Sequence, residues 1–66
     1  MELKINGVTS EFPESLTLQE LLTLKNLAGQ PMVIELNQAI ITRILWNETK
    51  LKSGDQLEIL RFVGGG

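Results

Sequence analysis

The chain ends in Gly64-Gly65-Gly66, directly after an apolar, strand-like run from Leu57 to Val63. Three successive glycines contribute nothing to a core, and ordering them loses more conformational entropy than ordering any other residues. What they offer is thinness. A segment without Cβ atoms threads a channel too narrow for other residues, and a terminal Gly66 carries a free α-carboxylate at its tip. The chemistry open to that group is acyl activation, on a flexible arm presented to the active site of another protein. A frayed end without a role is also rich in glycine, so the tail acquires meaning only from the domain behind it.

Other reactive constellations are missing. The 66 residues include no cysteine and no histidine. There is thus no disulfide framework or thiolate metal site, and neither the usual general base nor the commonest transition-metal ligand. Glu11 and Glu14 flank Pro13 and read as solvated. Asp55, in Ser53-Gly54-Asp55, reads as a turn residue bonding locally. The glycines lie at the wrong end for a phosphate loop, which precedes a helix. The chain is expected to catalyse nothing unaided and to bind no cofactor of its own. Its net charge of −2 and its scattered cations, Lys4, Lys25, Arg43, Lys50, Lys52 and Arg61, argue against nucleic acid. No apolar run approaches the about 20 residues of a membrane span. The opening Met1–Ile5 alternates in polarity instead of forming a signal sequence. No membrane partner and a cytoplasmic location are expected.

The elements that position the tail follow from periodicity. Met1, Leu3 and Ile5 alternate with Glu2 and Lys4 as in a half-buried strand. Asn6-Gly7 is a hairpin signal, and Val8 to Phe12 returns with Val8, Ser10 and Phe12 on one face. Thr17-Leu18-Gln19-Glu20 is a capping box. Leu18, Leu21, Leu22 and Lys25 then share a helical face from which Leu27 falls away. Gly29 suits the C-cap region, and Pro31 blocks continuation. Met32–Leu36 reads as a third strand, Asn37-Gln38 as a turn and Ala39–Ile41 as a short strand. Trp46 reads as a packing residue whose indole N–H finds a partner. Leu57–Val63 forms the last strand. If Leu57 and Ile59 face the helix, Leu60 and Phe62 form an apolar patch on the other face, beside the tail, with Arg61 at its rim. The order suits an α+β domain, residues 1–63, with residues 64–66 as tail. Its first and last strands lie parallel in the middle of a mixed four- to five-stranded sheet, with one main helix packed on one face: a β-grasp arrangement.

The chain resembles the ThiS family of ubiquitin-like sulfur carriers of thiamine biosynthesis. The resemblance rests on Asn6-Gly7, Thr17 to Leu22, Leu36-Asn37, Arg43 followed by Trp46, Leu51, Gly54-Asp55 and the Val63–Gly66 ending. The chain departs from the family pattern at Thr42, where proline is common, and at Ile44-Leu45, where polar residues are common. The resemblance implies that a ThiF-like adenylating enzyme, supplying ATP and a metal ion, activates the Gly66 carboxylate. A sulfur donor protein then converts it to a thiocarboxylate, and thiazole synthase receives the sulfur. Gly64 and Gly65 would thread the enzyme's channel, with Leu60, Arg61 and Phe62 as docking contacts. Two alternatives share the tail: a carrier serving molybdopterin synthesis, and a ubiquitin-like modifier or interaction module.

Overall fold

The computed structural model describes residues 1–62; Val63, the last residue of the expected final strand, and the Gly64–Gly66 tail lie outside the described residues. The first hairpin forms as its alternation dictates. Strand β1 (Glu2–Ile5) buries Leu3 and Ile5 and turns Glu2 and Lys4 outward. It pairs antiparallel with β2 (Val8–Glu11), from Ile5 opposite Val8 to Glu2 opposite Glu11. Asn6 and Gly7 between them take φ of 49° and 84°. Two consecutive positive values match the twist of a tight hairpin, which explains this dipeptide. Phe12 falls just past the strand, although its N–H still bonds the Met1 carbonyl at 2.8 Å.

Helix α1 (Leu18–Leu24) starts at the expected capping box. The Thr17 hydroxyl accepts from the Glu20 N–H at 3.1 Å, and the Glu20 carboxylate accepts from the Thr17 N–H at 2.8 Å. Leu18, Leu21 and Leu22 are fully buried against the sheet. The end of the helix corrects the sequence reading. Lys25 is exposed and is the C-cap, and Asn26, not Gly29, takes the left-handed conformation that stops the helix, at φ 60°. The Asn26 N–H bonds Thr23 O at 3.1 Å and the Leu27 N–H bonds Leu22 O at 2.8 Å, a Schellman closure. Its accompanying apolar contact is Leu27, which packs against the core. Leu27 therefore leaves the helical stripe because it is already beyond the helix.

Strands β3 (Met32–Leu36), β4 (Ala39–Ile40) and β5 (Gln56–Arg61) complete one five-stranded sheet of order β2-β1-β5-β3-β4. β5 runs parallel to β1 and antiparallel to β3. Residues 43–45 form a single 3-10 turn that brings Trp46 into the core at 2% exposure. The indole N–H donates to Ile41 O at 2.8 Å. The Arg43 guanidinium lies 4.6 Å from the ring centroid and donates to Gln30 O, tying this turn to the loop after α1.

Asp55 is the one buried charged residue among the described residues. Its carboxylate accepts from Asn37 Nδ2 at 3.0 Å and from the Lys52 N–H at 2.8 Å. Asn37 Oδ1 in turn accepts from the Gln56 N–H at 2.9 Å. The expected local turn bond is thus present, joined to a longer-range one that fixes the start of β5 to the β3–β4 hairpin. Asp55→Ala strands the Asn37 amide and the Lys52 N–H together. The expected loss is about 1–3 kcal/mol of unfolding free energy, read from the urea midpoint.

Candidate functional site

The last described strand sets the geometry from which the tail departs. Leu57 and Ile59 of β5 are buried under α1, while Glu58, Leu60 and Phe62 alternate onto the open face of the sheet. Leu60 and Phe62 are 57% and 60% exposed. Half-buried Val33 stands directly opposite Leu60 on β3 and extends the patch they form. Arg61 turns the other way: it stands opposite Met32 and donates from Nη1 to Gln30 Oε1 at 3.2 Å. Of the three residues expected to dock, Leu60 and Phe62 therefore share a face and Arg61 lies on the helix side. Gly64, Gly65 and Gly66 lie outside the described residues.

The rest of the open face is mainly charged, carrying Glu2, Glu11, Glu35 and Glu58 with Lys4 among them. Glu35 stands directly opposite Glu58, and Glu2 directly opposite Glu11. Like charges placed opposite one another in a sheet are destabilising. The face thus combines apolar surface at the end of β5 with opposed carboxylates whose repulsion a cationic partner surface would relieve. On the helix side, an open groove of about 480 Å³ lies between β2 and the end of α1. Val8, Phe12, Leu27 and Ile59 line it, with Lys25 and Arg61. Among the described residues no group of three His, Cys, Asp or Glu side chains could hold a metal ion. No helix among them is long and apolar enough to cross a membrane.

Two contributors escaped the sequence reading. Val33 is found only once the register of β3 against β5 is known. Asn6 reads as a turn former, yet its side chain also bonds the backbone of Ile59, 53 residues away.

A helix laid across a mixed sheet whose first and last strands pair in parallel at its centre defines a ubiquitin-like protein of the β-grasp class. The chain belongs to the ThiS family, whose profile matches residues 2–66. It is 34% identical over 65 residues to the sulfur carrier protein ThiS of Bacillus subtilis (strain 168), covering 97% of this chain and 98% of that protein. The crystal structure of the thiamine biosynthesis protein ThiS from Geobacter metallireducens superposes with a TM-score of 0.85 at 38% identity, covering all of both chains. A thiazole synthase of Paramagnetospirillum magneticum is 33% identical over 66 residues, and this chain spans 20% of its length.

The exposure of Phe62 separates a docking residue from a core residue. Phe62→Ala is expected to change unfolding free energy by about 0.5 kcal/mol or less, the range of surface substitutions. A loss of several times that in chemical denaturation would mean that the ring belongs to the core.

Proposed function

We propose that this chain carries sulfur for thiamine biosynthesis as a thiocarboxylate on Gly66. The observation that carries this reading is the family match running through the glycine tail to residue 66. It is joined by the apolar patch of Leu60, on β5, and Phe62, just past its end.

The chemistry follows from the weakness of a carboxylate as an electrophile: its charge repels nucleophiles, and an oxide ion leaves poorly. On a ThiF-like adenylating enzyme, a Gly66 carboxylate oxygen attacks the α-phosphorus of ATP and pyrophosphate departs. The acyl carbon then bears AMP, a good leaving group. A persulfide sulfur on a donor protein displaces AMP, forming an acyl disulfide. A thiol attacks the donor's own sulfur in that bond, forming a protein disulfide and leaving the thiocarboxylate on Gly66. ATP and its metal ion are held by the adenylating enzyme. This chain is not the catalyst; it supplies the acyl group, the Gly64-Gly65 segment that threads the active-site channel, and a surface that docks.

The acceptor is a thiazole synthase. The Paramagnetospirillum magneticum thiazole synthase, which contains a segment homologous to this whole chain, supports the pairing. Leu60 and Phe62 provide the apolar anchor, and the opposed carboxylates Glu35 and Glu58 favour partners that offer cations.

The test is the intact mass after incubation with ATP, a sulfur donor and the adenylating enzyme. The expected result is a gain equal to the exchange of one oxygen for sulfur. The gain should be absent both in Gly65→Trp, which fills the channel, and in a variant extended by one alanine beyond Gly66. An unchanged mass with an enzyme active on another carrier, or normal loading of the extended variant, overturns the assignment. Phe62→Ala is expected to raise the Kd for the adenylating enzyme about tenfold or more, as a buried aromatic anchor does. Unchanged affinity by calorimetry would remove Phe62 from the docking surface.

A further inference from the structure

We propose that Asn6 is a positioning residue for the end of β5: its side-chain amide replaces a missing strand neighbour and fixes the direction in which β5 delivers Leu60 to Phe62. The part concerning sulfur loading rests on the carrier reading above.

The register of β1 against β5 ends at Ile5 opposite Leu57, and the Asn6 N–H makes a last backbone bond to Leu57 O at 2.9 Å. The chain then turns away at Gly7, while β5 continues to Arg61. On its other side, β3 accompanies β5 as far as Met32 opposite Arg61, and the Phe62 N–H reaches Pro31 O at 3.2 Å. On the β1 side the next position is filled by the Asn6 side chain. Its Oδ1 accepts from the Ile59 N–H at 2.7 Å, and its Nδ2 donates to Ile59 O at 3.2 Å. One primary amide thus makes both bonds that a backbone neighbour would make.

The turn alone does not call for this side chain. Gly or Asp at position 6 also tolerates positive φ before Gly7. Of these three, however, only the asparagine amide offers an acceptor and a donor together; aspartate accepts but cannot donate, and glycine does neither. The clamp sits three residues before Phe62, so it holds the base of the tail from the side that has no strand. Without it, Leu60 to Phe62 are anchored by β3 alone. An enzyme that engages the tail must then order that segment itself, which weakens capture without changing the reaction at Gly66.

Asn6→Gly and Asn6→Asp test this through amide exchange by NMR and through steady-state loading kinetics. Asn6→Gly is expected to speed exchange at Ile59, Leu60 and Phe62 about tenfold, with the Leu3 and Ile34 amides unchanged. It should raise the KM for the carrier about tenfold at unchanged kcat, with Asn6→Asp intermediate. Should Asn6→Gly not fold, Asn6→Asp carries the same comparison. Equal acceleration at every amide would reduce Asn6 to a general stabiliser and overturn the proposal. An unchanged KM despite faster exchange at Leu60 and Phe62 would overturn it as well. If the wild-type chain is not loaded at all, the carrier reading fails. The exchange data still decide the clamp, which unchanged rates at Leu60 and Phe62 would sink.

Discussion

The parallel pairing of β1 with β5 is the constraint on which the rest of the structure depends. Parallel neighbours cannot be joined by a tight turn, so the chain between them must cross over and return. The helix and the β3–β4 hairpin make that crossover, with β2 as the edge beside β1. The pairing itself is short, with Lys4 opposite Gln56 and Ile5 opposite Leu57. It is lengthened by other means at both ends. At the start of β5, the Gly54 N–H bonds Glu2 O at 2.7 Å, and Ser53 Oγ accepts from the Glu2 N–H at 3.1 Å. At its far end the Asn6 amide takes over. A junction too brief to hold on ladder bonds alone is thus stitched by side chains and loop backbone, and buried Asp55 anchors the loop that feeds it.

The fold was legible in the sequence wherever periodicity or a local motif reported it. Alternation in Met1–Ile5, the Asn6-Gly7 turn, the capping box at Thr17 and the β-rich run Met32–Leu36 all lead to the observed elements. Their order suits a pairing of the first strand with the last, which the sheet shows. The helix end was misplaced because glycine is the commoner left-handed stop, whereas here asparagine performs that role and Gly29, also at positive φ, serves the following loop. Leu27 looked anomalous for the same reason.

Of the candidate site, alternation along β5 put Leu60 and Phe62 on the face away from the helix, and the same alternation sends Arg61 to the other side. Val33 and the amide of Asn6 were invisible, because each acts on a residue far along the chain. Asn37 is similar: it reads as a turn former, but its side chain bridges Asp55 and Gln56. No local pattern encodes which distant backbone group a polar side chain will meet.

The position of β5 also bears on how the protein is made. Leu57 and Ile59 lie in the core cluster, and β5 is the only strand that joins the β1–β2 hairpin to the β3–β4 pair within the described sheet. A ribosome adds it after every other element described. Until it emerges, the two halves share no sheet, and the leucines of α1 have half a floor to pack on. Folding is therefore completed by the strand that leads directly into the glycines. A chain cut short ahead of β5 lacks Leu57 and Ile59 of the core cluster, and its exposed apolar surface marks it for proteolysis. The strand that closes the sheet is thus the last of the described elements to be made.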